Sequence, residues 1–192
     1  MRKTDTLCEI FFTIRLNFAS KKVNLFLNKR SKLRKESLHP SQLILLEVTE
    51  MHKLIEQSMA RQSRIVFPKD LNANGTLFGG EAMKWMDEIA FVVATRFTRQ
   101  RMFTMSTDNV KFLRPVLPEH LVEAVGYVEK ATGVKLFIKV EIFAEERYEE
   151  KREKAVEASF VFVAMNENLT PCRIRYPFDF EQFQKELAEE NK

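Results

Sequence analysis

Histidine, cysteine and glycine are scarce in this sequence, and each shortage removes a class of function. The three histidines, His39, His52 and His120, share no metal-ligand spacing. His120 follows Pro118-Glu119 and reads as a turn residue. Two cysteines, Cys8 and Cys172, stand far apart. They form neither a disulfide framework nor a CxxC metal pattern, and they fit a reducing, cytoplasmic setting. No apolar stretch approaches the ~18 residues that cross a bilayer. The longest clear run, residues 160–165, has the length of a strand, so no integral membrane association is expected. A Gly-x-Ser-x-Gly elbow is missing, which argues against a serine hydrolase of the α/β type. Internal repeats and low-complexity tracts are missing too.

What is present is ordinary globular material. Hydrophobic residues make up 45% and charged residues 30% of the 192, a balance that supports one packed domain rather than a disordered chain. The net charge of +4 is unevenly placed. Residues 1–50 carry 10 of the 31 Lys/Arg and 5 of the 27 Asp/Glu, leaving 21 basic against 22 acidic residues in the remainder. The basic excess belongs to the leader, so no nucleic acid is expected as partner of the domain. Residues 1–50 read as a poorly ordered basic extension or an upstream misassigned start, with Met51 or Met59 as the functional beginning. Residues 51–175 read as the domain, and 176–192 as a terminal amphipathic helix with Phe180, Phe183 and Leu187 at helical spacing.

Within the domain the pattern is α+β. Residues 63–67 predict a short strand, 68–80 a polar loop and 80–99 a long helix. Four strands follow at 105–113, 121–130, 134–144 and 155–165. The third alternates Leu136, Ile138, Val140 and Ile142 with charged residues, the period of a half-buried strand. The helix is apolar on every side over residues 89–94, which predicts burial all round and a sheet curled about it.

Three of the five glycines lie within six residues, in Asn74-Gly75-Thr76-Leu77-Phe78-Gly79-Gly80. Gly79 and Gly80 stand where the helix begins, and the first amides of a helix carry unpaired N–H groups with partial positive charge. Such amides hold anions or a developing oxyanion. The alternative is a glycine turn that packs helix on sheet. A phosphate-binding P-loop is excluded, because no Gly-Lys-Ser/Thr follows. Asp87 sits two turns into the helix beside Met83, Ala90 and Phe91. Partial desolvation there raises a carboxylate's pKa and makes it a better base; the alternative is a solvated aspartate. Glu88 is the competing acid, about 100° around the helix. Asp70, Asn72 and Asn74 in the preceding loop favour turns for local reasons.

Residues 68–80, then Met83-Lys84-Trp85-Met86-Asp87-Glu88, Thr107-Asp108 and Phe112-Leu113-Arg114-Pro115 together resemble the acyl-CoA thioesterases of the hot-dog superfamily, over about residues 64–165. The resemblance is to the bacterial broad-range hydrolases related to the brain-type cytosolic enzyme. It implies a hot-dog fold, an antiparallel β-sheet wrapped around a long central helix. It implies a homodimer with two composite sites, assembled further into a hexamer as a trimer of dimers. It implies Asp87 as general base or nucleophile and Asn72 reaching in from the other subunit to position water or substrate. The Gly79-Gly80 amides would polarise the thioester carbonyl, and neither a metal nor a cofactor is required, coenzyme A being part of the substrate.

Phe78, Arg114, Thr132, Gly133 and Lys135 are the expected substrate-binding residues. The look-alikes carry basic and hydroxyl residues after a glycine at the fourth strand; the serines are missing from Ala131-Thr132-Gly133-Val134-Lys135. Two other readings compete. A dehydratase of the same fold uses a histidine, and neither the loop nor the helix has one. A non-catalytic acyl-CoA-binding or regulatory domain would leave Asn72 and Asp87 without a purpose.

Overall fold

The computed structural model describes residues 40–176, so the extension before residue 40 and the expected terminal helix lie outside the described residues. Contacts divide the chain between Glu50 and Met51, and the site lies wholly in the unit beginning at Met51. Helix α1 (Pro40–Ser58), which the sequence reading did not anticipate, spans that division. Then come β1 (Ala60–Ile65), a single 3-10 turn (Pro68–Asp70), α2 (Gly79–Thr98), β2 (Arg101–Phe112), β3 (Leu121–Ala131), β4 (Lys135–Glu145) and β5 (Arg152–Met165). The five strands form one antiparallel sheet in the order β1-β3-β4-β5-β2.

The inner face of the sheet follows from alternation. Leu136, Ile138, Val140 and Ile142 of β4 are fully buried, as their spacing predicts, and lie opposite Phe162, Phe160, Ala158 and Val156 of β5. Helix α2 lies across this face. Its buried residues, among them Ala82, Trp85, Met86, Ile89, Ala90, Val93 and Phe97, recur every three or four positions. Each buried large side chain contributes about 1.5–3 kcal/mol. Helix and sheet approach closely at Gly126, where a Cβ would stand 2.5 Å from Cγ2 of Ile89. A side chain there would force the two layers apart.

Two expectations need correction. The β1 strand forms earlier than residues 63–67. It is an edge strand that pairs only with β3 and exposes most of its side chains, so it carries little apolar signal. Burial of α2 all round is not observed in the single chain: Phe91 is 50% exposed and Val92 36%. The sheet covers one stripe of the helix and leaves the opposite stripe open.

The two ends of the sheet matter for the site. The β3–β4 hairpin, residues 132–134, sits at the end where Arg101 pairs with Met165. The start of α2 and the segment after Phe112 sit at the other end, where Phe112 pairs with Val156. On the outer face Glu157 is ringed by Lys154, Lys111 and Lys139 at 2.9, 3.0 and 3.7 Å. Hydrogen bonds from Lys154 and Lys111, helped by the charge of Lys139, hold its carboxyl down at about 2. Burial opposes this and loses.

Candidate active site

The loop before α2 is built by its own polar residues. Asp70 is 9% exposed; its carboxylate accepts the Phe67 amide at 2.9 Å and its carbonyl accepts the Phe78 amide at 2.8 Å. That fixes Asp70 as a loop-builder. Asn72 organises the next turn. Its Oδ1 accepts the backbone amides of Asn74 and Thr76 at 2.8 and 3.3 Å, and its Nδ2 donates to Thr76 Oγ1 at 2.9 Å. Two backbone donors on one oxygen fix the orientation of the amide. A carboxamide has two N–H donors, so one remains for a ligand. Gly75, at φ 73°, lets the turn close.

Helix α2 starts at Gly79, as expected, with Phe78 as its N-cap. The Phe78 carbonyl accepts the amides of Glu81 and Ala82, both at 3.0 Å. The amides of Gly79 and Gly80 precede the first intrahelical bonds and have no acceptor within the helix. Both positions are kept small by rings. A Cβ on Gly80 would lie 2.5 Å from Phe78 Cε1, and one on Gly79 would lie 3.2 Å from Phe112 Cζ. Phe78 itself is exposed. A cavity of about 370 Å³ opens beside these amides, with Asn72, Gly79 and Arg114 among its lining residues. Arg114 is rimmed into an ion pair with Glu153 at 3.0 Å.

Three acids stand on α2, and their partners separate them. Glu81 accepts from Lys84 at 3.1 Å and from Trp85 Nε1 at 2.8 Å. The Lys84 hydrogen bond, against burial, keeps its carboxyl below the usual range. Glu88 is held by Arg64 at 2.6 Å. Asp87 has no cation on it: among the described residues, its one recorded partner is the hydroxyl of Thr104, which donates to Oδ1 at 2.9 Å. Their partners thus distinguish Asp87 from Glu88. Only Asp87 keeps a carboxylate that is oriented yet not neutralised. The desolvation expected for it is not present in the single chain, where Asp87 is exposed along with Phe91 one turn on. Of the apolar neighbours that suggested desolvation, Phe91 is itself on the open stripe, whereas Ala90 is buried against the sheet and Met83 is half-buried.

Sequence reasoning missed Thr104. It lies on β2 opposite Phe162, on the helix side of the sheet. Its contact with Asp87 spans 17 residues and depends on strand register, which composition does not reveal. The structure brings Asn72, Gly79, Gly80, Phe78 and Arg114 to one end of the sheet, around or beside the cavity. It does not bring Thr132, Gly133 and Lys135 there. The hairpin is about 26 Å away along β5, counting eight residues between the positions aligned with each group. The Thr132 hydroxyl is spent on the turn, accepting the Lys135 amide at 2.9 Å and donating to the Lys135 carbonyl at 3.0 Å.

Asp87 is also separated from the glycine amides. Eight residues of helix span about 12 Å, while groups acting on one carbonyl must each come within ~3 Å of it. One chain therefore holds two separate groups of candidate residues: Asn72 with the helix-start amides, and Asp87 with Thr104.

Comparison with known proteins gives these residues a context. The thioesterase superfamily pattern matches residues 74–151. An uncharacterised acyl-CoA thioester hydrolase of Bacillus subtilis is 33% identical over 129 residues, covering 67% of this chain and 74% of that protein. The acyl-CoA hydrolase of Staphylococcus aureus, solved with butyryl coenzyme A and coenzyme A, superposes with a TM-score of 0.60 at 28% identity, covering 71% of this chain and 88% of that one. The hexameric thioesterase of Yersinia pestis gives a TM-score of 0.56 at 28% identity, covering 60% and 93%. Alanine variants of the Staphylococcus aureus enzyme have been solved at an asparagine, at an aspartate fifteen residues later and at a threonine seventeen residues after that. Asn72, Asp87 and Thr104 have the same spacing. The chain belongs to the thioesterase superfamily, among the acyl-CoA thioester hydrolases of hot-dog fold.

Proposed function

We propose that this protein hydrolyses acyl-CoA thioesters to free fatty acid and coenzyme A at a site shared by two copies of the chain. The observation that carries the reading is the separation, within one chain, of Asn72 and the helix-start amides from Asp87. Asn72 and the Gly79-Gly80 amides of one copy bind the thioester carbonyl. Asp87 of the second copy, aimed by Thr104, takes the proton of the attacking water, or displaces the thiolate directly to give an anhydride that water then cleaves to fatty acid and free Asp87. The amides hold the oxyanion. Thiolate leaves readily, so no strong general acid is needed. Asp87 and the peptide amides supply the chemistry, and the mechanism calls for neither metal nor cofactor. Phe78 and Arg114 flank the carbonyl site as substrate contacts. Thr132, Gly133 and Lys135 meet coenzyme A only if a neighbouring copy brings its hairpin to the site.

The surface around Asp87 supports pairing. Strand β2 is an edge strand of 12 residues, and its outer side offers unpaired backbone groups to another strand. Phe103 and Met105 on β2 and Phe91 and Val92 on α2 are exposed apolar residues, a surface that a second copy would cover. Cover by a partner would also supply the desolvation of Asp87 that the single chain lacks. Hexamers among the structural neighbours fit further assembly of such dimers. Among the described residues no helix is long and apolar enough to cross a membrane.

Complementation tests this directly. Asp87→Asn and Asn72→Ala variants are each expected to lose acyl-CoA hydrolysis while keeping fold and oligomer. Unfolded together and refolded as a mixture, they form hybrids with one intact site, and about a quarter of wild-type activity returns for random pairing of a symmetric dimer. Near-normal turnover by Asp87→Asn alone overturns the mechanism. No recovery from a mixture shown to contain hybrids overturns the shared site.

A further inference from the structure

We propose that the acyl chain lies in the cavity behind the first turn of α2, and that Ala82 and Val156 set the length the enzyme accepts. The inference rests on the hydrolase reading above and adds the acyl length beyond which further methylenes gain nothing.

A thioester carbonyl held by the Gly79 amide has two arms, the acyl chain and the coenzyme A thiol. Gly79 lies on the cavity wall, so one arm must enter. The lining decides which. Its floor is aliphatic: Ala82, Leu77, Val116 and Val156 are all buried. The one cation on the lining is Arg114, and Glu153 already pairs with it. Coenzyme A carries several phosphate charges and would need more cations than this. Phe112 and Leu113 form an exposed apolar rim. The acyl arm therefore enters and the coenzyme A arm runs outward.

Size follows from the same walls. The volume of about 370 Å³ is near the lower end of the ~300–1,000 Å³ usual for ligand pockets. Ala82 stands three residues after Gly79, on the same face of the helix, directly along the path of an entering chain. Val156 closes the sheet side, where it pairs with Phe112 and Ile142. A larger residue at position 82 shortens the cavity, and a smaller one at 156 deepens it.

The test is a ladder of acyl-CoA substrates from butyryl to palmitoyl, with thiol release as readout and thermal melting to verify folding. Each methylene taken into the cavity raises kcat/KM about fourfold, the equivalent of about 0.8 kcal/mol. For the wild-type protein kcat/KM climbs through the short chains and then levels off. Ala82→Leu brings the levelling forward, and the octanoyl-to-butyryl ratio falls at least tenfold. Val156→Ala moves the levelling to longer chains. If Ala82→Leu does not fold, Val156→Ala decides alone. A folded variant of either kind with the wild-type ladder overturns the proposal while leaving the hydrolase reading intact. A wild-type protein that hydrolyses no acyl-CoA on the ladder overturns the hydrolase reading itself, and the chain-length assignment falls with it.

Discussion

Replacing Thr104 by valine removes one hydroxyl and changes almost nothing else. Valine keeps the β-branch and the volume that strand β2 presents to the helix, so the fold is expected to survive. What is lost is the 2.9 Å hydrogen bond to Asp87 Oδ1. A hydrogen bond to a charged group is worth about 1.5–3 kcal/mol, which is about ten- to hundredfold in rate. The value depends on solvent. Asp87 is exposed in the single chain, which favours the lower figure; cover by a second copy raises it. We expect kcat to fall about tenfold to hundredfold with KM nearly unchanged, because Thr104 orients the carboxylate and does not hold the substrate. Thr104→Ser restores the hydroxyl and should recover most of the rate. Steady-state hydrolysis of a short acyl-CoA, followed by thiol release, gives both constants. A valine variant within twofold of wild type, or a loss expressed wholly in KM, would refute the positioning role. A serine variant as slow as valine would refute it as well, since packing rather than the hydroxyl would then be responsible.

Other consequences concern stability. Gly126→Ala places a methyl 2.5 Å from Ile89 Cγ2 and 3.1 Å from Val93 Cγ2, both in the core. Overpacking of this kind costs about 1–3 kcal/mol, seen as a lower melting temperature; an unchanged melting point would show that the layers are looser than described. Glu157→Gln removes the carboxylate that Lys111, Lys139 and Lys154 share, of which Lys154 keeps Glu141 at 2.7 Å. The carboxyl of Glu157 is held at about 2, below the ordinary ~4.3 for glutamate. A depressed pKa contributes stability in full above the ordinary value and loses it as pH falls through the folded one. The variant is therefore less stable than wild type at neutral pH, by about 1 kcal/mol after allowing for solvent screening. The gap should close between pH 4 and pH 2, and a gap independent of pH would count against the ion-pair explanation.

The sequence disclosed what periodicity and local chemistry encode. The alternation in β4, the α2 boundaries and the glycine helix start are all written in runs of adjacent residues. The loop asparagine and the helix aspartate were legible for the same reason. Thr104 was not, because its partnership with Asp87 exists only once β2 is laid against β5 in the observed register. The β1 boundaries were missed because an edge strand exposes most side chains and so carries no apolar alternation.

The error over α2 is the most informative. An all-round apolar helix led to the expectation of burial all round, and in one chain that is not met at Phe91 and Val92. The physical premise still holds, since exposed phenylalanine and valine on a helix call for a cover. The premise simply does not say which chain provides it. Asp87 belongs to the same uncovered stripe, and it lies about 12 Å along the helix from the amides proposed to act with it. The same feature thus explains both mismatches: the apolar stripe and the lone carboxylate are unfinished in one copy, and one surface of a second copy would complete them together. Hydrophobic periodicity in this chain fits an interface as well as a core, and the aspartate proposed as the base stands where the two would meet.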